Sequence, residues 1–174
     1  MKSVLTLANS LSLFRLLITP VIAWTMLSNL WLFAGCLLIL AIISDLIDGP
    51  IARRNSQESS LGGLLDHSCD AILVAVLLFI LNITHDIPLI LPILVLASFL
   101  QYVLDSKALA GHNLRTSFLG RSNGIAYYVL TSLCVFSSSI SFVQLGQFLI
   151  ICSWILVIST LISMSERLWT LLGD

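Results

Sequence analysis

Four aspartates stand close together in a chain that is otherwise strongly apolar, in the stretch from Asp45 to Asp70. Asp45 and Asp48 are three apart, and Asp66 and Asp70 are four apart, so each pair lies on one face of a helix. A polar segment from Asn55 to Ser60 separates the pairs and is short enough to make their helices antiparallel neighbours, with the two acidic faces converging. Converging carboxylates repel one another unless a cation lies between them. An all-oxygen ligand set selects hard ions, Mg²⁺ or Mn²⁺, over zinc. Gly49, Ala52 and Gly62 flank the acids and would clear a groove beside them, and Arg53 on the same side can pair with phosphate oxygens. Carboxylates, divalent ions and a phosphate-reading arginine together describe phosphoryl transfer, for which two metal ions are the natural arrangement. The bland alternative makes these acids ion-paired spacers or helix caps at a membrane edge. For four acids facing one another across a hairpin, the cost of bringing like charges together weighs against that account.

The elements that must position these residues are apolar helices. Of 174 residues, 58% are hydrophobic and only 10% charged, and the mean hydropathy is +1.05. A soluble domain is nearer a quarter charged, so the composition is that of an integral membrane protein. A membrane span takes about 20 apolar residues, so the length accommodates six spans in one domain, residues 1–174, and little else. The expected fold is all-α: six transmembrane helices with a short N-terminal segment at the interface, where Arg15 snorkels toward the headgroups. The spans read as Val4 to Leu27, Leu30 to Ser44 with its helix continuing to Arg54, Leu61 to Thr84, Ile87 to Leu104, Gly124 to Phe136 and Gln144 to Met164. The first is read as a retained span, because no small-residue cleavage site closes it. Lys2, Arg15, Arg53, Arg54, Lys107, Arg115, Arg121 and Arg167 then fall on one side, and the turns around Asn29, His85 and Ser139 contain no lysine or arginine. The positive-inside rule places both termini and the acidic stretch at the cytoplasmic face. Net charge is −1, with basic residues too few and scattered for a nucleic-acid surface. Cys36, Cys69, Cys134 and Cys152, inside apolar runs at irregular spacing, read as small buried hydrophobes.

The acidic stretch resembles the signature of the CDP-alcohol phosphotransferases, D-x-x-D-G-x-x-A-R, eight residues, then G-x-x-x-D-x-x-x-D. Asp45, Asp48, Gly49, Ala52, Arg53, Gly62, Asp66 and Asp70 fill every fixed position at the right interval. The resemblance implies a homodimeric six-span membrane enzyme, with its active site open to the cytoplasm and a bacterial inner membrane as its setting. It implies that Asp45, Asp48, Asp66 and Asp70 hold two divalent cations, and that Gly49, Ala52, Arg53 and Gly62 help seat the CDP moiety. It further implies that Asp70 is the general base on an acceptor hydroxyl, which attacks phosphorus and expels CMP. The expected reaction moves the phosphatidyl group of CDP-diacylglycerol to a small polar alcohol in phospholipid synthesis, with glycerol 3-phosphate the preferred acceptor and inositol phosphate or serine open.

Asn9, Ser12, Arg15 and Pro20 resemble the N-x-x-[ST]-x-x-R run of bacterial phosphatidyltransferases, with a place near the nucleotide or as interface anchors. Lys107, His112, Arg115 and Arg121 lie before the fifth span, where some family members bind a phosphorylated acceptor; ordinary positive-inside charge explains them equally well. Two features cut across the choice of acceptor. Phosphatidylglycerophosphate synthases carry a lysine soon after the fourth aspartate and an A-R-E run in the fourth span, whereas this chain has Ala71, and Gln101-Tyr102 with Asp105. Asp66-His67-Ser68-Cys69-Asp70 is similar to the D-H-G-C-D of choline and ethanolamine phosphotransferases, which join a CDP-alcohol to diacylglycerol. A divalent-cation carrier is the alternative from another class. Against it, the acids cluster at one face and none continues across the spans.

Overall fold

The computed structural model describes residues 7–54, 60–105, 118–140 and 145–173. Six helices account for them: α1 (Leu7–Leu27), α2 (Trp31–Arg54), α3 (Ser60–His85), α4 (Ile90–Asp105), α5 (Phe118–Ser139) and α6 (Leu145–Gly173). The turns between neighbours are built by residues suited to them. Asn29 takes φ 59° after α1, and Asp86 takes φ 56° after α3. Asparagine and aspartate tolerate this left-handed region better than other side chains with a Cβ. At Asn29 the chain leaves α1 through a Schellman motif, in which Leu30 N donates to Thr25 O and Asn29 N to Met26 O. Beyond α3 the Asn82 side-chain amide donates to Ile87 O at 2.6 Å, tying the start of the next segment back to the helix.

The bundle is organised around α3, which touches α1, α4 and α5; α1 also lies along α2, and α6 closes against α4 and α5. Its centre is aliphatic, with Ile22, Leu38, Leu73, Leu77, Leu81, Leu91 and Val135 buried. The polar distribution is the reverse of a water-soluble protein's. Leu17, Leu32, Ile140 and Trp169 are exposed, while Arg15, Thr19, Ser44, Asn123, Thr131, Ser153 and Thr160 are buried. The buried hydroxyls largely satisfy themselves: Thr19, Ser44, Thr131 and Thr160 each donate to a carbonyl three or four residues back in their own helix. Such a surface suits lipid, in which helices associate through close packing and internal polar contacts. Three helices contain stretches long and apolar enough to cross a bilayer, Ser10–Leu27, Gly62–His85 and Leu145–Trp169; Trp31–Ile47 and Ile90–Asp105 are apolar but shorter.

Three expectations change. Arg15 does not snorkel: α1 is continuous from Leu7, and the arginine side chain is 0% exposed inside the bundle. Acidic partners on α2 and α3, distant in sequence, draw it inward. The fifth helix starts at Phe118, not near Gly124, so Arg121, Ser122 and Asn123 are helical. The sixth continues past Met164 to Gly173, carrying Glu166 and Arg167 on its last turns. In both cases polar residues end an apolar run without ending a helix, because arginine and glutamate are good helix formers. Among the cysteines, Cys69 and Cys134 are buried and Cys152 partly so, but Cys36 is exposed.

Helices α2 and α5 meet at Gly35, where an added Cβ would lie 3.5 Å from Phe136 Cε1 and 3.7 Å from Ser139 Oγ. A methyl group fits at those distances and a branched side chain does not. Thermal unfolding in detergent should therefore find Gly35→Ala near wild type and Gly35→Leu destabilised by about 1–3 kcal/mol.

Candidate active site

The acids meet around an arginine. Arg15 projects from α1 toward Asp45 on α2 and toward Asp66 and Asp70 on α3. Its Nη1 donates to Oδ1 of Asp45 and of Asp70, and its Nη2 to Oδ1 of Asp66. Ser12, one turn earlier on α1, donates from Oγ to Asp66 Oδ1 at 3.0 Å and stands 3.4 Å from Arg15 Nη2. A buried guanidinium is costly to desolvate, and gathered carboxylates repel; together each compensates the other. The fork of arginine donors is what allows one side chain to serve three acids.

The arrangement fits a divalent cation. One carboxylate oxygen from each of Asp45 on α2 and Asp66 and Asp70 on α3 can be chosen so that all lie within 4.8 Å of one another. The donors are all oxygen, as hard ions require. The acids are also reachable: their side chains are 34%, 26% and 23% exposed, against 0% for Arg15.

On the side away from α1, Asp45 and Asp70 border a cavity of about 470 Å³ between α3, α4, α5 and α6. Tyr128 on α5 donates its hydroxyl to Asp70 Oδ1 at 2.9 Å, so this aspartate is held from both α1 and α5. Across the cavity the rings of His67 and Tyr102 stack with centroids 6.0 Å apart, and the Arg167 guanidinium lies 5.0 Å from the Tyr102 centroid. Arg167 also pairs with Asp105 at 4.0 Å. Arg121 lines the same space, whose remaining walls are largely apolar, with Val74, Val95, Phe99 and Met164 among them.

The structure therefore brings together Asp45, Asp66 and Asp70 as the spacing predicts, with Gly62 one turn before Asp66. Asp48, Gly49, Ala52 and Arg53 belong to α2, and their side chains lie outside the described residues, as do Lys107, His112 and Arg115 altogether. Sequence reasoning missed Tyr128, Tyr102 and the contribution of Arg167. Of the two readings given for Arg15, anchoring at the interface fails, because its side chain is buried among the acids. A signal for Arg15 was present: the default that makes an intramembrane acid functional applies equally to an intramembrane base. For the tyrosines there was none, because an apolar helix accepts tyrosine on any face.

A family model described as CDP-alcohol phosphatidyltransferase matches residues 5–163. The chain is 34% identical to a Streptomyces coelicolor cardiolipin synthase (CMP-forming) over 132 residues, 68% of this chain and 60% of that protein. It is 31% identical to a CDP-diacylglycerol–glycerol-3-phosphate 3-phosphatidyltransferase of Wigglesworthia glossinidia brevipalpis over 96 residues, 53% of each chain. A rat cardiolipin synthase (CMP-forming) is 33% identical over 93 residues, 53% of this chain and 31% of the rat protein. The chain thus spans less than two thirds of the length of each of these relatives.

Ser12 is buried between Arg15 and Asp66. Ser12→Ala removes a hydrogen bond to a charged group and should lower stability by about 1.5–3 kcal/mol, read by denaturation of the purified protein in detergent.

Proposed function

The chain belongs to the CDP-alcohol phosphatidyltransferase family, and from that premise we propose that it transfers the phosphatidyl group of CDP-diacylglycerol to a glycerol-phosphate-type acceptor and releases CMP. The observation that carries this reading is the convergence of Asp45, Asp66 and Asp70 at the edge of a cavity large enough for an acceptor. Asp45, Asp66 and Asp70, with Asp48 from the same motif, hold two Mg²⁺ or Mn²⁺ ions. Bound there, the ions supply charge stabilisation of the diphosphate and of the departing CMP. Gly49, Ala52, Arg53 and Gly62 seat the cytidine diphosphate. Asp70 faces the cavity and takes the proton of the acceptor hydroxyl. The acceptor oxygen forms its bond to the lipid-bearing phosphorus, the bond from that phosphorus to the bridging oxygen breaks, and CMP leaves with that oxygen. Tyr128 keeps the Asp70 carboxylate oriented toward the acceptor.

The protein works as a single membrane domain of six crossing helices, as a homodimer, with both termini and the site at the cytoplasmic face of a bacterial inner membrane. Support comes from the basic residues gathered toward the ends that carry the site and from the apolar outer surface. Glycerol 3-phosphate is the simplest acceptor, and the arginines Arg121 and Arg167 beside the cavity suit its phosphate. A second acceptor is favoured by the largely apolar cavity wall and by the cardiolipin synthases among the relatives: phosphatidylglycerol, the same glycerol phosphate borne on a lipid.

The test supplies the purified protein with Mg²⁺ and either labelled CDP-diacylglycerol and a panel of acceptors or CDP-choline and diacylglycerol, and identifies the lipid by mass spectrometry. Phosphatidylglycerophosphate or cardiolipin as product supports the reading; a product made only from CDP-choline and diacylglycerol, or no CMP from any acceptor, overturns it. Asp70→Asn weakens the pairing with buried Arg15 and should unfold at a lower temperature, and the fraction that remains folded should lose about 100- to 10,000-fold in CMP release; undiminished turnover would remove Asp70 as the base.

A further inference from the structure

The acid cluster already holds a cation that belongs to the chain. The two terminal nitrogens of Arg15 reach Oδ1 of Asp45, Asp66 and Asp70, the same three carboxylates that can converge on a metal ion. The side chain is fully buried and comes from α1, a helix that contributes none of the acids. We propose that Arg15 is a built-in competitor of the divalent cations: it neutralises the cluster until they bind, and their binding displaces its guanidinium from the carboxylates. This rests on the cation-binding reading of the cluster.

The competition follows from shared ligands. A divalent ion coordinated by the oxygens that Arg15 occupies cannot coexist with the guanidinium at contact distance, and one bound through the remaining oxygens still faces its positive charge. Whichever cation occupies the site weakens the other, and by linkage the effect is reciprocal. The arrangement has a use. Three carboxylates facing one another would otherwise push apart, and Arg15, on the helix that packs against both α2 and α3, keeps them gathered. It also sets a threshold, since only an ion able to outcompete a buried, multiply bonded guanidinium is admitted.

Two measurements with opposite signs separate this role from a merely structural one. Full-length protein in detergent is titrated with Mn²⁺, and binding is followed by the electron paramagnetic resonance signal of the free ion. Thermal unfolding is then recorded with chelator and with saturating Mn²⁺. Arg15→Gln, purified in Mn²⁺ throughout, should bind Mn²⁺ about tenfold more tightly than wild type, a coupling of ordinary size. It should unfold at a lower temperature than wild type in chelator and recover most of the difference in Mn²⁺. Arg15→Lys, which keeps the charge but not the fork, should fall between the two in affinity. Unchanged or weakened Mn²⁺ binding in Arg15→Gln overturns the proposal, and so does a variant that stays unfolded in saturating Mn²⁺. Wild-type protein with no Mn²⁺ site that Asp66→Asn abolishes would instead overturn the cation-binding reading itself, and this proposal with it.

Discussion

The ion pairing of Arg15 with Asp45, Asp66 and Asp70 draws α1, α2 and α3 onto one point. A charged side chain at the centre of a membrane helix costs about 2.5–3.5 kcal/mol even on the lenient insertion scale, and four of them in one bundle must answer for one another. Removing one partner from such a cluster leaves a buried charge without compensation and is far more damaging than its net contribution to stability suggests. The geometry around the site is therefore tightly constrained. Ser12 bridges the arginine and Asp66, while Tyr128 fixes Asp70 from the opposite wall.

The rest of the bundle is arranged to make that cluster affordable and useful. Aliphatic side chains fill the centre of the bundle, and the buried hydroxyls of Thr19, Ser44 and Thr131 donate to carbonyls of their own helices. Among the described residues, Asp45 and Asp70 border a cavity lined by α3, α4, α5 and α6. The stacked His67 and Tyr102, with Arg167 over the tyrosine ring, stand in the same cavity that Asp45 and Asp70 border.

Much of this was legible in the sequence because it is local. Spacing of three and four put each acid pair on one helix face; the expectation that α2 and α3 lie side by side was not met among the described residues, because α1 packs against both and they converge through it. The helix α2 runs on to Arg54 as the pattern required. What was not legible depends on rotation and on contacts distant in sequence. Arg15 lies 30 residues from Asp45 and 55 from Asp70, and taken alone an arginine in an apolar run reads as a headgroup anchor. Tyr128 lay inside the expected fifth span, and only the helix's rotation about its axis shows that it faces Asp70. Polar residues at the starts and ends of apolar runs, such as Arg121 and Arg167, look like loops in sequence and are helix in the structure.

The central claim is that the convergent acids form the cation site on which the chemistry is built. Crystals of the protein grown with Mn²⁺ and CDP-diacylglycerol, and measured for anomalous scattering from manganese, test it most directly. The account predicts an anomalous peak within bonding distance of oxygens of Asp45, Asp66 and Asp70, with the diphosphate in contact with it. Manganese bound elsewhere, or a diphosphate bound away from these aspartates, would contradict it.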